Sequence, residues 1–151
     1  MSRKPGHIQY AALPFRRRAD ATIEIMLITS RDTGRWLIPK GWPEPGLAPA
    51  ETAAHEAREE GGLVGRIGDR SIGSYHYDKR LPDGSTVDCV VEVFALDVTR
   101  QLKSWPERDE RTTRWFGSQE AAEAVKEPEL RAIIQNLHRA FGPAYRGDAR
   151  D

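Results

Sequence analysis

The chain lacks the features that mark several protein classes. It has one cysteine in 151 residues, Cys89, so an internal disulfide framework is excluded and a reducing compartment is expected. Neither charge is in excess: 23 Lys+Arg balance 23 Asp+Glu, which argues against an extended nucleic-acid surface but leaves room for a local basic pocket. No apolar run approaches the roughly 18–20 residues needed to span a bilayer, so no membrane segment is expected. Met1-Ser2-Arg3-Lys4-Pro5-Gly6 is basic but has no apolar stretch of the secretory kind, and a soluble, cytoplasmic protein is the expectation. Repeats, low-complexity tracts and linkers are missing as well. The length then suits one domain, residues 1–151, with a real core.

Strand patterns open the chain. His7 to Leu13 reads as a first strand, and Ala21 to Ser30 as a stronger one, with Ile23, Ile25 and Leu27 alternating against Glu24 and Met26. Phe15-Arg16-Arg17-Arg18-Ala19-Asp20 between them reads as a basic turn. Arg35 to Pro39 is a short extended piece, and Lys40-Gly41-Trp42-Pro43-Glu44-Pro45-Gly46 carries too many prolines and glycines to be anything but a loop. A helix is predicted from Pro49, since proline is tolerated at a first helical position. Ala50, Ala53, Ala54 and Ala57 give it a narrow small-residue face, and Gly61-Gly62 ends it. Further strands are predicted over Ile67 to Asp78 and Thr86 to Val98, joined by the turn Leu81-Pro82-Asp83-Gly84, with a short one over Arg111 to Phe116. Ser118 is expected to cap a helix through Val125, and Pro128 to open another running to Phe141. The polar tail after Gly142 is expected to fray. The pattern is that of one mixed α/β domain.

Three carboxylates stand out. Glu56, Glu59 and Glu60, at i, i+3 and i+4, share one side of the helix and occupy its last turn, where the dipole disfavours anions. Repulsion of about 0.2–0.5 kcal/mol per exposed pair is bearable on a solvated face, so energy alone leaves two readings open: an acidic surface, or a site for a hard divalent cation such as magnesium.

The context of those carboxylates resembles the Nudix box, G-x5-E-x7-R-E-U-x-E-E-x-G-U with U a bulky aliphatic. Gly41, Glu56, Glu59, Glu60, Gly62 and Leu63 fall on its fixed positions without a gap, over residues 41–63. Arg35-Trp36-Leu37-Ile38-Pro39-Lys40-Gly41 before it, and Leu102-Lys103-Ser104-Trp105 and Arg114-Trp115-Phe116 after it, resemble diphosphoinositol and diadenosine polyphosphate phosphohydrolases. The chain departs from the pattern at Leu47, where the family has its first glutamate, and at His55, where it has arginine. That pair is thought to brace the loop and orient the metal-binding glutamates. Losing both together strands no charge. Ala57 is also smaller than the usual aliphatic.

The resemblance implies an α/β/α sandwich with a mixed β-sheet between helices. It also implies Mg2+-dependent, or Mn2+-dependent, hydrolysis of a pyrophosphate linkage in a nucleoside-diphosphate-linked or diphosphoinositol-type substrate. Glu56, Glu59, Glu60 and the carbonyl of Gly41 would hold the metal. Glu59 or Glu60 would serve as general base, with a carboxylate of the loop Glu107-Arg108-Asp109-Glu110 as the alternative. Lys40, Arg16, Arg17, Arg18 and Trp42 are candidates to meet the phosphorylated small molecule, guanidinium forks being suited to multiply charged phosphates; Lys79 and Arg80 are weaker ones. A hydrolase of another nucleotide (nucleotide sugar, ADP-ribose, damaged nucleoside triphosphate) and a non-catalytic nucleotide sensor remain as alternatives. A homodimer is compatible with all of them. His55, His76, Cys89, Trp36, Trp105 and Trp115 are expected to serve packing and support.

Overall fold

The computed structural model describes residues 7–141. Eight strands form one mixed sheet. β1 (Ile8–Arg17), β2 (Ile23–Thr29), β3 (Trp36–Leu37) and β4 (Lys40–Gly41) precede helix α1 (Pro49–Gly61). β5 (Leu63–Ile67), β6 (Gly73–Arg80), β7 (Thr86–Gln101) and β8 (Thr113–Gly117) follow, then α2 (Ser118–Ala124) and α3 (Pro128–Phe141). The strand order is β3-β2-β1-β7-β5, with β4 beside β1, β6 beside β7 and β8 beside β2. β1 and β7 run parallel, Ile8 facing Val90 through Phe15 facing Asp97; the other pairs are antiparallel.

Alternation along the strands feeds two cores. Ala11, Leu13, Phe15, Ile25, Leu27, Val91 and Val93 point to one face, where Ala121, Leu130, Ile134 and Leu137 of α2 and α3 cover them. Ala12, Met26, Phe94 and Leu96 point to the other, against Ala50, Ala53 and Ala57 of α1. The alanine face does what its spacing predicts, letting α1 lie close on the sheet. The result is the expected α/β/α sandwich.

Several boundaries differ from expectation. Arg16 and Arg17 belong to β1 rather than to a turn, because Arg16 pairs across the ladder with Glu24 and Arg17 with Ile23. The reversal falls at 18–22, where Ala21 takes a positive φ of 71°. The strand expected over Ile67 to Asp78 is interrupted. β5 and β6 lie end to end on one edge of β7, and the polar excursion between them leaves at Gly68, whose N–H reaches Ala95, and rejoins at Ile72, whose N–H reaches Val93. Ser118 makes no cap: Gly117 is the N-cap residue, and the Ser118 hydroxyl contacts His138 Nδ1 at 2.7 Å instead. The tail after Gly142 lies outside the described residues. No helix among those described is long and apolar enough to cross a membrane.

Candidate active site

Helix α1 begins where its sequence says it should. Pro49 takes the first position, and Glu51 Oε1 accepts the Ala48 N–H at 2.8 Å. It ends on Gly62, left-handed at φ 68°, whose N–H closes back on the Arg58 carbonyl. A side chain at 62 would overlap the Trp105 indole, which lies flat against this glycine. Leu102 N–H donates to the Gly62 carbonyl and Glu107 N–H to that of Glu59. These bonds anchor the segment after β7 to the acidic end of α1.

Opposite this end lies β4. It pairs with β1, Tyr10 facing Gly41 and Ala11 facing Lys40, which sets Gly41 directly against Glu56. A Cβ at Gly41 would overlap the Glu56 carboxylate as it stands, so a side chain here would turn that carboxylate aside. Glu60 is buried; its Oε1 accepts the Lys40 N–H at 3.3 Å, and its Oε2 lies 3.7 Å from Arg111 Nη2. The Glu56 and Glu60 carboxyls interact with one another. Burial pushes both upward as acids, Glu60 to about 8, against the opposing pull of Arg111.

Around these groups opens a cleft of about 380 Å³. Four cations line it, Lys40, Lys79, Arg31 and Arg111, with Gln9 and Tyr77, and Trp42 and Glu44 come from the loop. The Lys40 ammonium sits 4.7 Å from the Tyr77 ring, with no carboxylate at ion-pair distance among the described residues. Burial lowers its pKa to about 8, with the Glu60 carboxylate acting in the other direction. Tyr77 donates its hydroxyl proton to Gln9 Oε1 at 2.6 Å. Arg111, nearly buried, donates to Glu107 at 2.7 Å and to the Thr29 carbonyl at 3.1 Å.

Of the residues singled out by sequence, the cleft gathers Glu56, Glu60, Gly41, Lys40, Trp42 and Lys79. Glu59 does not line it; its carboxylate lies 3.3 Å from His55 Nε2. Arg16 and Arg18 are not brought there either. Glu24 binds both, at 2.7 and 3.1 Å, and Arg16 stacks on Trp115 at 4.0 Å. Cys89 is buried, Trp36 packs edge-on against Phe116, and His76 faces Glu129 at 3.1 Å. The sequence reading passed over Arg31, Arg111, Gln9, Tyr77 and Glu44 as site residues. No local signal marks them, since strand pairing brings them in from separate parts of the chain. Glu44 is the exception: it lies in the loop that leads into the box.

The donor chemistry fits a hard divalent cation. Glu56 and Glu60 present carboxylate oxygens to the cleft, and donor atoms of Glu44, His55 and Glu56 lie within 4.8 Å of one another.

A Nudix box on α1, beneath a mixed sheet flanked by helices, defines the class, and a family model described as NUDIX domain matches residues 7–137. The chain belongs to the Nudix family. It is 34% identical over 122 residues to "Nudix hydrolase 16, mitochondrial" of Arabidopsis thaliana, covering 76% of this chain and 66% of that one. It is 30% identical over 112 residues to human "Diphosphoinositol polyphosphate phosphohydrolase 3-alpha", covering 72% and 64%. The chain thus spans less than two thirds of the length of either relative. Among solved structures, a Caenorhabditis elegans Ap4A hydrolase binary complex matches with a TM-score of 0.64 at 17% identity, over 87% of this chain and 95% of that one, a likeness of fold.

Proposed function

We propose that this chain is a divalent-metal-dependent pyrophosphohydrolase. Its substrate is a small molecule carrying a nucleoside-diphosphate or diphosphoinositol-type linkage. The observation that carries the reading is the cleft itself, which the carboxylates of Glu56 and Glu60 and the cations Lys40, Lys79, Arg31 and Arg111 line together. The names of the human and nematode proteins it resembles support the polyphosphate class.

Glu56, Glu60 and the Gly41 carbonyl would hold Mg2+ or Mn2+, with Glu59 joining them once its carboxylate turns from His55; the ion, when bound, neutralises phosphate charge and acidifies water. Lys40 is the principal phosphate contact, because it lines the cleft and no carboxylate among the described residues lies at ion-pair distance from its ammonium. In the reaction a water oxygen bonds to phosphorus, the P–O bond to the bridging oxygen breaks, and the leaving phosphate departs with that electron pair. Glu60 would take the water proton: its carboxylate lines the cleft beside Glu56 and Lys40, and a bound cation would keep it ionised. The alternative base, Glu107, is held by Arg111 at 2.7 Å and would first have to be released. Trp42 would cover a base or an inositol ring, a role its exposure on a loop that lines the cleft supports.

The test is a phosphate-release screen over dinucleoside polyphosphates, diphosphoinositols, ADP-ribose and nucleotide sugars, each with and without Mg2+. Release confined to reactions with metal, and strongest on the first two classes, is the expected result. Tight ligand binding with no turnover on any compound would replace the enzyme reading with that of a sensor.

A further inference from the structure

The Nudix pattern calls for a glutamate at 47 and an arginine at 55, and this chain has Leu47 and His55. On sequence the pair looks deleted. The structure shows it moved. His55 Nδ1 lies 2.8 Å from Glu44 Oε1, three residues before the position where the pattern has its acid. Leu47 is exposed and offers no polar atom in its side chain.

The local backbone explains how a carboxylate at 44 can stand in for one at 47. Leu47 N–H donates to the Glu44 carbonyl at 3.0 Å, closing a turn, and Gly46 supplies its positive φ of 86°. A turn of this kind brings its first and fourth Cα atoms within roughly 7 Å, so the two positions overlook the same stretch of α1. His55 continues the connection, its Nε2 lying 3.3 Å from Glu59 Oε2. One imidazole therefore joins the loop to the helix that carries the glutamates.

We propose that Glu44 is a positioning residue: its pairing with His55 pins the loop Trp42–Gly46 onto α1 and takes over the bracing that positions 47 and 55 supply elsewhere in the family. Its bearing on catalysis rests on the hydrolase reading above; the pin itself does not. A pinned loop holds Trp42 over the cleft and keeps Gly41 against Glu56. Leu47 and His55 are then not the mutually compensated loss that the sequence suggests. His55 has an acid partner, and only position 47 has fallen silent.

The pin can be tested without turnover. The protein is labelled with 5-fluorotryptophan and kept metal-free with chelator, and the Trp42 fluorine resonance is assigned by its loss in Trp42→Phe. Glu44→Ala should move this resonance towards that of the free amino acid and leave those of Trp36, Trp105 and Trp115 in place. His55→Ala should reproduce the change, and the double variant should add nothing to either single. Mn2+ affinity should fall roughly tenfold in each, in the range of losing an outer partner of a metal ligand. Introducing Leu47→Glu and His55→Arg into Glu44→Ala should restore both readouts. An unmoved Trp42 resonance, additive single effects, or no recovery in the rescued variant would overturn the pin. So would a shift that appears only when Mn2+ is added, because Glu44 would then be a metal ligand. A wild type inactive on every substrate would remove the hydrolase reading and leave the Trp42 readout intact.

Discussion

Glu60 and Lys40 carry opposite charges in one half-closed cleft, and burial works against both. The carboxyl is pushed up and the ammonium down, each to about 8. The sign for stability follows. Between its ordinary 4.5 and about 8, Glu60 binds a proton in the folded protein that it releases in the unfolded one, so stability without metal falls as pH rises through this window. Between about 8 and 10.5 Lys40 binds fewer protons folded than unfolded, and the trend reverses. In chelator, Tm should therefore drop from about pH 5 to about pH 8, and Glu60→Gln should flatten that drop. An identical slope in the variant would remove Glu60 as its source. Cations divide by the same logic. Lys40→Ala should raise KM by about tenfold or more, the weight of a hydrogen bond to a charged group, whereas Arg18→Ala should leave KM alone because Glu24 already holds Arg18. Equal effects, read from steady-state kinetics of the two variants, would return the basic strand end to the site.

The element that organises the site is α1, and its signals are local. Pro49, the alanine spacing and Gly61-Gly62 all lie within a few residues of what they determine, so the helix was legible in sequence to within a residue. Strand edges were not. Arg16 and Arg17 have the composition of a turn, and only Glu24 and Ile23 across the ladder show them to be strand. The break between β5 and β6 depends on Ala95 and Val93 of β7. Gly62 shows how tightly the helix end is set. Gly62→Ala must take a left-handed φ and displace Trp105, and should cost about 1–3 kcal/mol in denaturant melts. A neutral result would mean that Trp105 does not rest on the helix end.

At the scale of the molecule, the sheet is what assembles the site. Gln9 comes from β1, Lys40 and Gly41 from β4, and Tyr77 and Lys79 from β6; Arg31 follows β2, and Glu107 and Arg111 lie between β7 and β8. Arg111 reaches Thr29, 82 positions away in sequence, only because β8 pairs with β2. The carboxylate part of the site was readable because helical spacing joins Glu56 to Glu60. The cationic part was not, because sheet topology joins it. Arg16 and Arg18 show the same limit: adjacent arginines are easy to see, but their partner Glu24 is not.

The central claim is that Glu56 and Glu60, drawn together beside Gly41, hold the cation on which hydrolysis depends. The most direct measurement is steady-state phosphate release from one dinucleoside polyphosphate at saturating Mg2+, for the wild type and for Glu60→Gln. The account predicts metal-dependent turnover in the wild type and a fall of roughly a hundredfold or more in the variant, the scale of losing a positioned proton acceptor or metal ligand. Turnover that persists in chelator, or that Glu60→Gln leaves unchanged, would contradict it.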